Sequence, residues 1–430
     1  MSEETINSRN TTAVVEAGLA KRYARERRFR LMGVAAVSVS VAFLAFLLIS
    51  IFAKGIPAFK TTYVKLDITL DQKALRLPEQ PSLQDLSRGR YDSAIKKSLL
   101  AQFPEVTSRK EKRALYKLVS SYASRQVADA LVANPDLLNT TASIWVLADD
   151  EVAALARNAD YTQNKKDAGT ELIRTQIEQL RAEDRIDIRF NWLFFQRGDS
   201  REPEAAGIKG AIMGSLYTLM VTLMLSFPIG VAAAVYLEEF APKNRLTDII
   251  EVNINNLAAV PSIVFGLLGV AVFINFFHLP RSAPLVGGIV LSLMTLPTII
   301  IASRAALKSV PPSIADAALG LGASKIQTIT HHVLPLAMPG ILTGTIIGMA
   351  QALGESAPLL MIGMVAFIVD VPAGVTDPAT VLPVQVYLWS DSPERAFTER
   401  TSAAIMVLLV FLILMNALAV LLRKQFERRW

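Results

Sequence analysis

The sequence predicts an all-α integral membrane protein with six membrane-spanning helices and one large, mostly helical insertion after the first of them. Three observations lead there. Apolar residues make up 52% of the 430 residues and the mean hydropathy is +0.38, too apolar for a soluble chain of ordinary composition. More than half of the Lys, Arg, Asp and Glu lie between Ala58 and Ala205, which concentrates solubility in one segment. The basic residues outside that segment gather beside apolar runs, as cytoplasmic loops do, so a pI near 9.4 needs no nucleic acid to explain it.

Three segments follow from this: 1–57, a basic tail and the first span; 58–205, an insertion; and 206–430, a core of five spans with a cytoplasmic loop at 310–339. The tail ends in the basic run Lys21 to Arg30, which anchors the N-terminus inside, and Gly33 to Ala53 is apolar over the length that crosses a core of ~30 Å. That run is too long for a cleavable signal and lacks a small-x-small site. From Ala58 to Ala205 no run is long enough to span. Helical patterns cover Arg109 to Ala133, Ile144 to Arg157 and Ala168 to Asp184, Asn134-Pro135-Asp136 marks a turn, and Ile186 to Phe195 reads as a strand or an interfacial segment. Because the first span starts inside, this insertion belongs outside.

The second span, Gly210 to Tyr236, carries Gly210, Gly214, Thr218, Thr222, Ser226, Gly230 and Ala234 every fourth residue. Such a ridge of small side chains lets helices approach closely in lipid. Ile249 to Phe277 is interrupted by Pro261-Ser262, so it enters as an amphipathic helix and spans from about Ser262. Leu285 to Ala302 is the fourth span. Gly340 to about Phe367 is the fifth, with a second small ridge at Gly340, Gly344, Gly348, Ala352 and Ser356, and Ala403 to Leu422 is the last, closed by Arg423, Lys424, Arg428 and Arg429. Both termini then lie inside.

Between the fourth and fifth spans, Val310 to Pro339 is too polar and too broken to cross a bilayer. Pro311-Pro312 precede Ser313, and Asp316 three residues on has the spacing of a capping box; Ser324 with Gln327 offers a second. Gly320 and Gly322 weaken the first helix, and Pro335 and Pro339 close the second. The prediction is an elbow of two short helices at the membrane surface, a compact knob for a partner.

The chain has no cysteine, its three histidines make no ligand set, and no G-x-x-x-x-G-K-[ST] occurs, so ATP hydrolysis by a P-loop is excluded. One acid lies deep in a span. Glu355 at mid-bilayer costs ~2.5–3.5 kcal/mol, so it serves either a transport path or a hydrogen bond between helices. No second acid, nucleophile or metal set accompanies it, which disfavours an intramembrane enzyme.

Two sets of motifs resemble known families. Asp316-Ala317-Ala318, then Gly322, then Leu334-Pro335 resemble the EAA loop of ABC importer permeases, with Asp316 in place of the usual Glu and His332 in place of an aliphatic residue. Gly354-Glu355-Ser356-Ala357-Pro358-Leu359-Leu360, Val260-Pro261-Ser262-Ile263-Val264-Phe265-Gly266-Leu267, and Pro228-Ile229-Gly230 with Ala234, Tyr236, Leu237 and Glu238 resemble the phosphate importer permeases of the PstA family, over roughly Ile208 to Trp430. The resemblance implies the type I ABC importer permease fold and a non-enzymatic transport subunit in a bacterial inner membrane. It implies as partners a second permease chain (PstC-like), two copies of an ATPase (PstB-like), an extracytoplasmic phosphate-binding protein (PstS-like) and the lipid bilayer, but no nucleic acid. No cofactor is expected on this chain, ATP and magnesium residing on the ATPase. Ser313, Asp316, Ala317, Ala318, Gly322, Leu334 and Pro335 would dock the ATPase, while Glu355, Ser356, Ser262 and Arg304 are candidates for the translocation pathway. A permease for sulfate or molybdate, or a membrane sensor with an external ligand-binding domain, remain the alternatives.

Overall fold

A computed structural model describes residues 3–157, 168–365 and 367–426. By its internal contacts the chain divides between Lys54 and Gly55 into two units, the first lying within α1 (Glu3–Gly55) and the second running from Gly55. The sequence pattern predicts a polar anchor followed by a span, whereas α1 runs as one helix through both. No proline interrupts it and its polar half is rich in Ala, Arg and Glu, so nothing stops the helix at the membrane surface.

The insertion is built on a three-stranded antiparallel sheet of order β2-β1-β3: β1 (Lys60–Thr69), β2 (Thr141–Leu147) and β3 (Ile186–Phe190). From Thr62 onward the residues of β1 alternate, and Val64, Leu66 and Ile68 are fully buried on one face. Six helices contribute to the core over that face: α2 (Leu83–Arg88), α3 (Tyr91–Gln102), α4 (Arg109–Tyr116), α5 (Ala123–Ala133), α6 (Asp150–Ala156) and α7 (Ala168–Ala182). Leu99, Phe103, Leu115, Leu131 and Leu180 fill that core.

Two predicted helices are corrected. Ile144 to Arg157 divides into β2 and α6, because Ile144-Trp145-Val146 suits a pleated surface and Asp149 then caps α6 by accepting from Glu151 N–H at 3.1 Å. Arg109 to Ala133 divides into α4 and α5, because Ser120 is drawn to the sheet, its N–H donating to Leu147 O at 2.9 Å. The helix from Ala168 forms as predicted, whereas of Ile186 to Phe195 only Ile186–Phe190 is strand, and Trp192–Gln196 turns helical behind the cap that Asn191 supplies by accepting from Phe194 N–H at 3.2 Å.

After α8 (Trp192–Gln196) the membrane core comprises α9 (Lys209–Val235), α10 (Arg245–Ala258), α11 (Ser262–Leu268), α12 (Pro284–Lys308), α13 (Pro312–Gly320), α14 (Lys325–Thr328), α15 (Leu334–Gly354), α16 (Ala357–Met361), α17 (Leu382–Ser390) and α18 (Phe397–Phe426). Among the described residues five helical stretches are long and apolar enough to cross a membrane, or six if α10 and the stretch Ser262–Phe276, bent by 102°, are counted as one broken span. The predicted ridge on α9 is buried along its whole length. A methyl carbon built on Gly230 would lie 2.7 Å from Ile299 Cγ2 of α12, and Thr222 Oγ1 donates to Gly288 O across the same interface. Gly340 and Gly344 of α15 fit likewise against Ala306 and Ala302.

The fifth span differs from prediction at both ends. It ends at Gly354 rather than near Phe367, because Glu355 is extended and Pro358 cannot continue the ladder. Pro335 and Pro339 do not close the preceding helix but lie inside a helix continuous from Lys325. A π-helical turn at Ile329–Val333 widens the ladder ahead of Pro335, which has no N–H to donate. Arg423 and Lys424 close α18; Arg428 and Arg429 lie outside the described residues.

Candidate functional site

The elbow grows from the end of α12. Pro311 precedes α13 and Pro312 occupies its first turn, where a missing N–H is harmless. The helix therefore starts one residue before Ser313, and the predicted Ser313–Asp316 capping box does not form. Ser313, Asp316, Ala317 and Leu319 are exposed, Ala318 is buried, and Leu321 at the tip is 91% exposed. Gly322 has φ +88° and ends the helix. Its N–H donates to Leu319 O at 2.9 Å and the Ala323 N–H to Ala318 O at 3.1 Å, a Schellman closure that favours glycine. A side chain at Gly322 would meet nothing within 4 Å, so the position is constrained by backbone conformation and not by space. The second box is present, Gln327 N–H to Ser324 Oγ at 3.3 Å and Ser324 N–H to Gln327 Oε1 at 2.9 Å. Leu334 and Pro335 are half-buried in the continuing helix. The elbow is thus one short helix and a capped turn set directly on the fifth span.

A charged clamp stands behind it. Arg304 of α12 pairs with Glu238 at 3.3 Å and Glu251 at 2.6 Å, and Lys308 reaches Glu238 at 3.5 Å, tying α12 to the turn after α9 and to α10. Two carboxylates therefore compensate Arg304. It sits near the level of Ala302, which Gly344 touches, so Glu355 is roughly 15 Å farther along α15. The structure does not bring Arg304 together with Glu355.

The two other motifs do meet. A methyl carbon built on Gly266 would lie 2.7 Å from Pro358 Cα and 2.9 Å from Met361 Cβ, so α11 and α16 cross almost backbone to backbone. Each is the arm of a broken span, one interrupted at Pro261 and the other at Glu355-Ser356. Ser262, Glu355 and Ser356 are half-buried at these breaks. Among the described residues Glu355 has no hydrogen-bonding or ionic side-chain partner. Among the described residues no three His, Cys, Asp or Glu side chains gather as a metal site.

A further cluster was not legible in the sequence, because its members are up to 342 positions apart. At the base of the insertion Arg157 pairs with Glu399 at 3.0 Å and donates to Pro57 O at 2.7 Å. Arg400 donates to Ala58 O at 3.0 Å and to Glu204 O at 3.3 Å, so α18 is fastened to the turn that leads into β1 and to the segment that ends the insertion. Glu204 is 4% exposed, and burial pushes its carboxyl up to about 7. Burial and the neighbouring Asp150 and Glu204 raise Asp149 as well.

Residues 226–430 match the family described as "Binding-protein-dependent transport system inner membrane component", and residues 16–165 match "Domain of unknown function (DUF3333)". The "Phosphate transport system permease protein PstA 1" of Mycobacterium tuberculosis (strain CDC 1551 / Oshkosh) is 31% identical over 55% of this chain and 77% of its own length. The chain belongs to the PstA family of ABC importer permeases. The "Probable ABC transporter permease protein YqgI" of Bacillus subtilis (strain 168) is 32% identical over 40% of this chain, which spans 58% of that relative. Among solved structures, a chain of the inward-facing MetNI methionine ABC transporter aligns with a TM-score of 0.41 and 19% identity, over 50% of this chain and 95% of that one. The family is one of multi-pass membrane permeases of ABC importers. The elbow and the broken spans are the places where the motifs resembling this family fall.

Proposed function

We propose that the chain is one permease subunit of an ATP-driven inorganic phosphate importer in a bacterial inner membrane, with both termini cytoplasmic and the insertion outside. Its translocation path runs between this chain and a second, related permease. Glu355, Ser356 and Ser262 line the path where the two spans break, and Arg304 acts at the cytoplasmic end as a clamp. Two ATPase chains, carrying the ATP and magnesium, drive the cycle, and one of them takes the elbow residues Ser313, Asp316, Ala317, Ala318 and Gly322 into a cleft. An extracytoplasmic phosphate-binding protein delivers the ion from outside.

The observation that carries this reading is the elbow. A leucine 91% exposed stands at the tip of a short helix that leads through a capped turn into one span, and the helix before it, α12, is ion-paired to two other helical segments. A push on such a knob reaches three helical segments at once. The names of the relatives support phosphate as the cargo. The reading is tested by reconstituting the complex with its partner chains in liposomes and following labelled phosphate. Uptake should require ATP and the binding protein and should resist excess sulfate or molybdate. Uptake of sulfate or molybdate without phosphate would overturn the cargo, and uptake without ATP the mechanism.

A further inference from the structure

Between α9, α15 and α18 lies a cavity of about 230 Å³ whose walls are almost wholly apolar. Leu219, Leu353 and Leu412 stand at one end, and Phe227, Leu342 and Leu422 at the other. From Leu412 to Leu422 the helix rises about 15 Å, one leaflet of a hydrocarbon core ~30 Å thick. The Leu422 end continues into Arg423 and Lys424, and Arg423 uses one guanidinium nitrogen on Thr343 Oγ1 at 3.2 Å, leaving further donors for a ligand. Two polar side chains face the slot. Thr345 donates to Ile341 O at 3.0 Å, and Asn416 lies midway along α18.

We propose that this slot binds one acyl chain of an anionic phospholipid, with its phosphate held at Arg423 and Lys424. Two features of the slot select that occupant. Its length matches one leaflet and no more. Among the described residues the charged side chains that follow its Leu422 end are the basic Arg423 and Lys424, where a headgroup would lie and where each basic residue favours anionic lipid roughly fivefold. Assigning that rim to the cytoplasmic leaflet rests on the topology proposed above, whereas binding itself does not. Because α15 continues directly from the elbow, a lipid wedged between it, α9 and α18 would influence the transport cycle.

The test uses the full chain with its partner subunits in nanodiscs of mixed phosphatidylglycerol and phosphatidylethanolamine, each offered in turn with a photoactivatable acyl chain. Adducts mapped by mass spectrometry should fall on slot residues such as Met349 and Met415 and should favour phosphatidylglycerol. The double variant Arg423→Gln, Lys424→Gln should reduce that preference to none, and Ala419→Trp or, independently, Ala350→Phe should block the adducts while assembly is retained. Equal labelling by the two lipids, adducts that persist when the slot is filled, or cysteine crosslinks from Met415→Cys to the second permease chain would each overturn the proposal. Nanodiscs expose both leaflets, so failure here counts against lipid binding and leaves the topology and the phosphate reading untouched.

Discussion

Replacing Gly266 by alanine tests whether the crossing of the two broken spans matters to the machine. The new methyl would lie 2.7 Å from Pro358 Cα, 2.9 Å from Pro358 O and 2.9 Å from Met361 Cβ. Carbon pairs rest at about 3.5–4.0 Å, so α11 and α16 must separate by roughly 1 Å. Two of the three atoms are backbone, which cannot rotate away, and Pro358 holds its own segment stiff. Overpacking of this kind costs about 1–3 kcal/mol, and the missing rotamer escape argues for the upper half of that range. The displacement falls three residues from Glu355, so phosphate uptake should drop along with stability. Gly348→Ala is the control, since its methyl would find its nearest neighbour at an ordinary 3.7 Å and alanine is the better helix former. Thermal unfolding of the assembled complex in nanodiscs and uptake in liposomes are the two readouts. Gly266→Ala matching Gly348→Ala in both would refute the close crossing.

At the elbow, Gly322→Ala should cost about 1–2 kcal/mol through its left-handed backbone and weaken ATPase docking, whereas Gly320→Ala, in helix with open space around it, should not; equal ATPase affinity for the two variants would contradict the Schellman ending. Glu204 binds its proton more tightly folded (about 7) than at its ordinary 4.5, so its contribution is full below about 4.5 and is lost as pH rises through 7. That is at most about 3 kcal/mol, and Glu204→Gln should shrink the fall in unfolding temperature between pH 5 and 8; an unchanged pH slope would remove Glu204 from the account. Glu355→Gln should lower phosphate uptake while insertion and assembly stay intact, and wild-type uptake would return Glu355 to a structural role.

How much was legible in the sequence follows the range of the interactions. The ridge on α9 and the Ser324–Gln327 box depend on residues three or four apart, and both are found. The Ser313–Asp316 box has the same spacing but fails, because Pro312 sets the helix start a residue earlier. The prolines at 335 and 339 misled for a related reason: a π-helical turn upstream absorbs what a regular helix cannot. Strand β1 carries a local strand pattern, Val64, Leu66 and Ile68 alternating with polar residues, but it pairs with β2 and β3 only across about 70 or more positions. Gly266 against Pro358 and Arg157 against Glu399 join positions about a hundred or more apart, and no local pattern announces them. In the site, the motif residues were legible as types, while their meeting was not.

The most direct test of the central claim places one cysteine in a chain that has none. Ala317→Cys puts a thiol on the exposed face of α13, and Asp377→Cys puts one on the loop that follows the fifth span. In intact cells an impermeant thiol reagent should label Asp377→Cys and leave Ala317→Cys untouched. After the cells are opened, Ala317→Cys should react, and in the assembled complex it should crosslink to the ATPase chain. Labelling of Ala317→Cys from outside intact cells would contradict the orientation, the elbow's partner and the importer mechanism together.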